Sequence, residues 1–193
     1  MNMFSVIAPF YDVMLSKLQQ RQTGTLIDRL PDLHGKTILD LGGGTGKLAA
    51  ALSTEGADVY LLDASKQMLK RAQRVLPGNR IFLGDAARLP FANDMFDVAL
   101  IVDAIHHMPA QHEVITETRR VLRPGGLLYI LDFSVNSSYI RVLQRLERLA
   151  GEPSVFFAPD TLAELLATSG LEQVNIEMLS QHEFLARAMK PVN

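Results

Sequence analysis

The feature that most constrains the fold of this chain is a glycine-rich turn that directly follows a short apolar segment. Ile38, Leu39 and Leu41 form a run that suits a parallel strand covered on both faces. The turn that follows contains Gly42, Gly43, Gly44 and Gly46. Because glycine has no Cβ, such a turn lets a ligand approach bare backbone. The pattern predicts the first strand of a doubly wound α/β sheet, with a ligand at the carboxyl end of that strand.

The spacing of the glycines distinguishes two kinds of cofactor site. A dinucleotide-binding turn has the pattern GxGxxG, and its last glycine would fall on Lys47 in this chain. The residues from Asp40 to Gly46 instead read DxGxGxG, which resembles the first motif of the class I S-adenosylmethionine-dependent methyltransferases. The resemblance implies that the loop binds the aminoacyl end of the cofactor, whose ammonium group suits the acidic Asp40 better than a phosphate would. A tight βα turn without a ligand is the alternative interpretation.

Acidic residues also close the next two apolar segments. Asp63 ends the segment 58–63, about 20 residues after the first glycine, where a carboxylate can accept hydrogen bonds from both ribose hydroxyls. Asp85 follows the segment 80–84, and the resemblance implies that it contacts the adenine amino group while the backbone of Ala86 contacts the ring. Because Asp is common in turns, each residue alone is weak support for a site. The resemblance adds three cofactor-binding residues, which are Ala64, Met68 and Asp103.

A histidine pair follows the fourth predicted strand, 96–103, at the edge where open α/β sheets bind ligands. Methyltransferases with small-molecule acceptors often have a similar Ala-Leu-His-His-Leu sequence here, which in this chain reads Ala-Ile-His-His-Met. The resemblance implies that His106 or His107 is catalytic, because an imidazole can take the acceptor's proton near neutral pH. The alternative is that one ring packs against the cofactor and the other caps the next helix.

Two segments far from the glycine loop strengthen the resemblance. Residues 120–126, Arg-Val-Leu-Arg-Pro-Gly-Gly, match the family sequence that leads into the fifth strand. Residues 4–12 are similar to the N-terminal Ala-x-x-Tyr-Asp segment of the type 11, ubiquinone/menaquinone-methylase-like branch. In that branch the segment forms a lid, so the resemblance implies that Tyr11 is a cofactor-binding residue. The similarity extends from Phe4 to Pro191, although the chain looks shorter than the quinone methylases after the fifth strand.

The resemblance implies a three-layer, doubly wound, Rossmann-like α/β fold with seven strands. The sheet is expected to be mostly parallel, and the last two extended runs, 171–179 and 182–189, are expected to form an antiparallel C-terminal hairpin. We expect a single methyltransferase domain over residues 1–193, in which residues 1–34 form a helical lid. No internal repeat or low-complexity linker divides the chain.

A metal site is not expected. Asp103 and Asp132 lie near strand ends where catechol-type methyltransferases hold magnesium through oxygen ligands. Asn136 is the only local candidate for a third ligand, and the surrounding residues do not resemble that subgroup. The chain also has no cysteine, which excludes disulfides, thiolate-zinc sites and cysteine nucleophiles.

The composition is typical of a soluble domain, and we expect it to be cytoplasmic. Hydrophobic residues make up 48% of the 193 residues, which is enough to bury a core. The apolar runs are much shorter than the ~20 residues that span a bilayer, so stable membrane insertion is not expected. A net charge of −2 argues against a nucleic-acid partner, since nucleic-acid-binding surfaces are generally basic.

The function expected from these features is the transfer of a methyl group from S-adenosylmethionine to a small-molecule acceptor, with release of S-adenosylhomocysteine. A protein that binds the cofactor without catalysis, as a regulator or partner, is the alternative. A nucleotide-dependent oxidoreductase would need the dinucleotide spacing that Lys47 breaks. The sequence leaves open whether the protein is a monomer or a homodimer.

Overall fold

A computed structural model describes residues 24–149 and 154–192 of the chain. By its internal contacts the chain divides into two units, Met1–Leu33 and His34–Asn193. In the described part of the first unit, residues 24–27 are helical and the Arg29 guanidinium donates a hydrogen bond to the carbonyl of Thr25. Most of the predicted lid, including Tyr11, lies outside the described residues.

The described part of the second unit alternates strands with helices. The strands are β1 (Thr37–Leu41), β2 (Asp58–Asp63), β3 (Ile81–Leu83), β4 (Phe96–Val102), β5 (Leu122–Phe133), β6 (Glu172–Met178) and β7 (Glu183–Met189). The helices are α1 (Lys47–Thr54), α2 (Lys66–Ala72), α3 (Gln111–Val121), α4 (Ser138–Leu149) and α5 (Pro159–Thr168). Short 3-10 helices occupy Gly78–Arg80 and Ile105–His107. Among the described residues, no helix is both long enough and apolar enough to cross a bilayer.

All seven strands join one sheet in the order β3-β2-β1-β4-β5-β7-β6. The pairs among β1 to β5 are parallel, whereas β7 is antiparallel to both β5 and β6. Helices pack against the strands they connect, for example α1 on β2 and α5 on β6. This arrangement confirms the predicted α/β fold with a mostly parallel sheet and an antiparallel C-terminal hairpin.

The core forms because the central strands are apolar on both faces, as a parallel sheet covered by helices requires. In β1 every residue after Thr37 is buried, and β4 is buried at five of its seven positions. A cluster of aromatic rings packs mostly edge to face in this core, with centroid distances of 4.9–6.1 Å, and comprises Tyr60, Phe82, Phe91 and Phe96.

The start of the fifth strand differs from the sequence-based expectation. The fifth strand begins at Leu122, ahead of the Pro-Gly-Gly sequence, because Leu122 pairs with Phe96 and the Gly125 amide donates to the Lys190 carbonyl. Backbone pairing across the sheet therefore extends the strand through residues with low strand propensity.

The strand order creates a crevice between β1 and β4. The chain winds outward from β1 through β2 to β3, then returns to β4 on the other side of β1. At such a switch point the loops after adjacent strands diverge, and open α/β sheets bind their ligands there. The loops that follow β1 and β4 are those that carry the glycines and the histidines.

Candidate functional site

The glycine loop after β1 is held in place by backbone hydrogen bonds and by Asp63. The Gly42 amide donates to the Leu62 carbonyl at 2.7 Å, which joins the loop to the end of β2. The Gly44 amide donates to Oδ2 of Asp63 at 2.9 Å. Gly46 then precedes α1 in the left-handed conformation. The loop thus presents half-buried backbone at the ends of two parallel strands.

The three consecutive glycines are required for different reasons. A Cβ on Gly42 would lie 2.7 Å from Cβ of Ala104, and one on Gly43 would lie 2.5 Å from Oδ2 of Asp40. These two glycines permit close packing against the loop after β4 and against Asp40. Gly44 has φ +54°, and the nearest atom to its would-be Cβ is 4.0 Å away. The space beside the Gly44 backbone is therefore open, and a ligand can approach the backbone there.

Asp40 lies beneath the loop in an unusual electrostatic environment. Its side chain is 1% exposed, and among the described residues Oδ2 has no hydrogen-bond partner. Burial, together with the nearby negative charge of Asp63, raises the pKa of Asp40 to about 7. Burying a carboxylate oxygen that has no hydrogen-bond partner costs free energy, so this position favours a ligand that brings positive charge. The Asp40 carboxylate can accept a hydrogen bond from an ammonium group, and it therefore fits the aminoacyl end of the cofactor.

Asp63 joins the glycine loop to the start of α2. Its Oδ1 accepts a hydrogen bond from the Ser65 amide at 2.7 Å, while Oδ2 accepts from Gly44. Ser65 caps α2 by accepting from the Met68 amide at 3.3 Å. Because each carboxylate oxygen has two lone pairs, Asp63 retains acceptor capacity for hydroxyl groups. Ala64 and Met68 are exposed beside it.

The loop after β3 carries the predicted adenine-side residues. Asp85 is exposed and Oδ1 accepts from the Ala87 amide at 2.9 Å, while Ala86 is buried. Arg120 fixes the rest of this loop, since Nη2 donates to the Leu89 carbonyl at 3.1 Å and Nη1 to the Phe91 carbonyl at 2.8 Å. Arg120 also pairs with Glu117, whose pKa is lowered by that hydrogen bond. The Arg at the start of the 120–126 sequence thus supports the loop that holds Asp85.

The two histidines after β4 have different surroundings. Asp103 has φ +50° and ends the strand, after which Ile105–His107 form a 3-10 turn. His106 is 4% exposed, whereas His107 is exposed and Nδ1 lies 3.1 Å from the hydroxyl of Ser154. The structure therefore separates a buried imidazole from an exposed one, which the sequence could not do.

The ring of His106 is held on several sides. Nδ1 lies 2.7 Å from Oδ1 of Asp132, at the end of β5, and Nε2 lies 4.0 Å from Oδ1 of Asp103. Phe156 stacks on the ring with centroids 4.3 Å apart and planes 17° apart. The His107 ring lies 4.0 Å from it at a tilt of 49°. Asp132 is thus a candidate site residue that sequence reasoning considered only as a metal ligand.

A strap of four residues, 154–157, runs against the histidine turn. The Val155 amide donates to the His106 carbonyl at 2.8 Å, and the Gln111 amide group donates to the Val155 carbonyl at 2.9 Å. Gln144 of α4 donates to the Ser154 carbonyl at 2.9 Å. The two aromatic residues of the strap, Phe156 and Phe157, are buried.

Asp103, His106 and Asp132 each place one potential ligand atom within 4.8 Å of the others. The distance of 2.7 Å between Nδ1 and Oδ1 is that of a hydrogen bond, so two of the three groups already satisfy each other. The expectation that the chain holds no metal stays a prediction. Among the described residues, the predicted cofactor-binding residues lie at the carboxyl ends of β1 and β2 (Asp40 and Asp63), on the loops that follow β1 to β4, or in the first turn of α2 (Met68); Tyr11 lies outside the described residues.

Comparisons with known proteins identify the family. The family model described as "Methyltransferase domain" matches residues 39–130 of this chain. The chain is 35% identical to the demethylmenaquinone methyltransferase of Paenarthrobacter aurescens over 69% of this chain and 54% of that protein. It is 31% identical to the ubiquinone/menaquinone biosynthesis C-methyltransferase of Cupriavidus metallidurans over 72% of this chain and 69% of the relative. The chain spans about half the length of the first of these relatives.

Solved structures share the fold. Phosphoethanolamine N-methyltransferase 2 of Haemonchus contortus, in complex with phosphomonomethylethanolamine and S-adenosylhomocysteine, superposes with a TM-score of 0.77 at 20% identity. The match covers 89% of this chain and 52% of that one. The similarity in sequence over most of the chain, and in fold, confirms the predicted family. The chain therefore belongs to the class I S-adenosylmethionine-dependent methyltransferases, in the branch that contains the ubiquinone/menaquinone C-methyltransferases.

Proposed function

We propose that this chain transfers a methyl group from S-adenosylmethionine to a small-molecule acceptor and releases S-adenosylhomocysteine. The observation that carries the proposal is the buried Asp40 carboxylate, whose Oδ2 has no partner among the described residues and lies directly under the open glycine loop. A ligand with an ammonium group and a nucleoside would satisfy Asp40 and the neighbouring Asp63 together. The bound cofactor supplies an electrophilic methyl group on a sulfonium sulfur.

Each strand end contributes one part of the proposed cofactor site. Asp40 and the backbone of Gly42, Gly43, Gly44 and Gly46 would hold the aminoacyl end. Asp63 would accept hydrogen bonds from the ribose hydroxyls, beside Ala64 and Met68. Asp85 and the backbone of Ala86 would hold the adenine, and Asp103 would lie near the reacting methyl group. Tyr11 would close the site, as the resemblance to lid-bearing relatives implies.

The acceptor is proposed to react beside the histidine turn. The packing of Ala104 against Gly42 brings this turn next to the cofactor loop. His106 is the better candidate for the general base because its ring is fixed by Asp132 and Phe156. His107 instead contacts Ser154 and holds the strap beside the turn. We propose that His107 supports catalysis by this contact and that His106 takes the acceptor's proton.

The names of the relatives suggest where to search for the acceptor. Two of the proteins described above are a demethylmenaquinone methyltransferase and a ubiquinone/menaquinone biosynthesis C-methyltransferase. We propose that quinone precursors, in their reduced phenolic form, are the first acceptors to test. Other small phenols belong in the same panel, because the chain is expected to be shorter than the quinone methylases after the fifth strand.

The test is transfer of a radiolabelled methyl group from S-adenosylmethionine to each member of that panel. Label that enters one acceptor class, and that enters it more slowly in Asp63→Ala when S-adenosylmethionine is subsaturating, would support the proposal. Binding of the cofactor without transfer to any acceptor would instead favour a cofactor-binding protein without catalysis. Failure of the wild type to bind S-adenosylmethionine or S-adenosylhomocysteine would reject both readings.

A further inference from the structure

We propose that Asp132 is a positioning residue, whose carboxylate fixes the His106 ring in the tautomer with its proton on Nδ1 and a lone pair on Nε2. This inference deepens the proposed function and rests on it for the direction of proton transfer. It also narrows the acceptor to a molecule whose nucleophilic atom carries a proton at the start of the reaction.

Among the described residues, two of the three hydrogen bonds of the Asp132 carboxylate are with His106. The carboxylate is 1% exposed; Oδ1 lies 2.7 Å from Nδ1 of His106, and Oδ2 accepts from the His106 backbone amide at 3.4 Å. Its remaining contact is with the amide of Phe133, which follows it in the chain. A buried ionised carboxylate accepts hydrogen bonds and cannot donate one, so it selects the ring tautomer that carries the proton on Nδ1.

The orientation of the ring follows from the same contact. With Nδ1 facing Asp132, Nε2 faces Asp103, at the carboxyl end of β4. The 4.0 Å between Nε2 and Oδ1 of Asp103 exceeds a hydrogen-bond length, yet it places a negative charge near the atom that would take the proton. Carboxylates on both sides of the ring would stabilise the imidazolium that forms.

The packing around the ring restricts it further. Phe156 covers one face in a stacked geometry, and the His107 ring lies at 4.0 Å. The strap and the turn are joined by the hydrogen bond from the Val155 amide to the His106 carbonyl. Rotation of the ring would therefore break the contact with Asp132 and disturb the stack. Such a rigid base suits proton transfer in a fixed geometry.

Nε2 of His106 accepts the proton of the acceptor atom while that atom forms its bond to the methyl carbon. The bond between the methyl carbon and sulfur breaks, and its electron pair stays on sulfur as the neutral thioether. His106 becomes an imidazolium paired with Asp132, and it later returns the proton to solvent.

The tautomer can be measured by nuclear magnetic resonance of protein labelled with 15N-histidine. Two-bond correlations between ring nitrogens and ring carbon-bound protons distinguish a proton on Nδ1 from one on Nε2. The His106 signals are assigned by their loss in His106→Gln. Wild-type protein at pH 8 is expected to show His106 with its proton on Nδ1. In Asp132→Asn, whose amide can donate or accept, we expect the Nε2-protonated tautomer to appear.

Glu183→Gln is the matched control, because Glu183 is a buried carboxylate on β7, opposite Phe133 at the same edge of the sheet. This variant should leave the His106 tautomer unchanged. A wild-type ring protonated on Nε2, or a tautomer that is the same in Asp132→Asn, would overturn the proposal. If Asp132→Asn does not fold, the wild-type spectrum still decides whether the proton lies on Nδ1.

Calorimetric binding of S-adenosylhomocysteine to the same proteins separates this inference from the proposed function. We expect Asp132→Asn to bind within about twofold of the wild type, because Asp132 contacts the histidine turn and not the glycine loop. Absence of binding in the wild type would reject the proposed function, whatever the tautomer. With an acceptor identified, Asp132→Asn should lower kcat by ~10²–10⁴-fold while KM for S-adenosylmethionine stays near its original value. An unchanged kcat would contradict a positioning role.

Discussion

At the scale of single residues, the Asp40 carboxylate says most about which ligand the site can bind. A carboxylate that is 1% exposed would ordinarily be paired, yet Oδ2 has no hydrogen-bond partner among the described residues. Its pKa is raised to about 7 by burial and, to a lesser extent, by the charge of Asp63. The ligand-free protein thus holds Asp40 largely protonated below neutral pH. A cationic ligand would reverse this state, because it stabilises the ionised carboxylate.

The raised pKa of Asp40 has a definite effect on stability. Between pH 3.8 and about 7 the folded state binds a proton at Asp40 that the unfolded state has lost, so this group makes stability fall as pH rises through that window. Asp40→Asn cannot titrate. Denaturant unfolding at several pH values should therefore show the wild type losing stability relative to Asp40→Asn between pH 4 and pH 7. A pH-independent difference would show that Asp40 ionises normally.

Cofactor binding should release the same proton. At pH 6 the free protein holds Asp40 mostly protonated, and an ammonium group in the site would favour its ionisation. Calorimetric titration with S-adenosylhomocysteine in two buffers of different ionisation enthalpy should then give different apparent enthalpies. The difference should vanish in Asp40→Asn and at pH 8.5. Equal enthalpies at pH 6 would place the ammonium group away from Asp40.

Gly44 offers a test of where the cofactor approaches the backbone. Its would-be Cβ points into open space, as does that of Gly35, and both glycines have positive φ. Gly44→Val and Gly35→Val should therefore cost similar stability, roughly 1–2 kcal/mol from the left-handed backbone alone. Only Gly44→Val should abolish binding of S-adenosylhomocysteine. Normal binding by a folded Gly44→Val protein would move the cofactor away from this loop.

Asp63 is expected to contribute directly to affinity. Asp63→Ala should weaken binding of S-adenosylhomocysteine by ~1–3 kcal/mol, since it removes acceptors for the ribose and the anchor of the Gly44 amide. Asp58→Ala, at the other end of β2, is the control because Asp58 pairs with Arg80 at an exposed position. Calorimetry on both variants would exclude Asp63 from the site if their affinities matched the wild type.

At the scale of elements, the site depends on contacts between segments that are distant in sequence. Arg120 on α3 holds the carbonyls of Leu89 and Phe91 and thereby shapes the loop that carries Asp85. The adjacent Arg119 donates instead to the carbonyl of Gly170, after α5. The two arginines therefore support different parts of the molecule from neighbouring positions of one helix.

Because the two arginines support different loops, their alanine variants should differ in cofactor binding. Arg119→Ala and Arg120→Ala should both lower the melting temperature, because each removes hydrogen bonds to buried or partly buried carbonyls. Only Arg120→Ala should also weaken S-adenosylhomocysteine binding, by about threefold or more, through the loosened loop. Equal affinities in the two variants would show that the Asp85 loop keeps its shape without Arg120.

The sequence predicts most about the site where a motif can be recognised within a single segment. The DxGxGxG turn and the acids that close the apolar segments are recognised by local spacing, and they lie at the carboxyl ends of successive strands. The pairing of His106 with Asp132 joins the ends of adjacent parallel strands. Sequence reasoning brought both residues to one edge, but it could not supply the side-chain directions that join them.

The strap shows a different limit of sequence reasoning. Its hold on the histidine turn comes from backbone groups of His106 and Val155 and from the amide side chains of Gln111 and Gln144. Backbone hydrogen bonds have no residue signature, and a glutamine carries no periodic signal. The residue types of Phe156 and Phe157 predict burial, but they do not predict that Phe156 stacks on His106, which depends on the fold.

At the scale of the whole molecule, the sheet order explains why one chain can build the site. The switch point between β1 and β4 brings the cofactor loop beside the histidine turn, and the parallel pairing of β4 with β5 adds Asp132 to the same edge. The apolar strands and their helices form the support, whereas the proposed functional residues in the described chain lie at strand ends, on loops or, for Met68, in the first turn of α2. The single-domain organisation with an N-terminal lid stays a prediction.

The central claim is that this sheet edge binds S-adenosylmethionine, and calorimetric titration with S-adenosylmethionine, S-adenosylhomocysteine and NAD in parallel tests it most directly. We expect the first two to bind with dissociation constants in the micromolar range, about 8 kcal/mol on the affinity scale, and NAD not to bind. Binding of NAD alone, or of none of the three, would contradict the proposed function of the site.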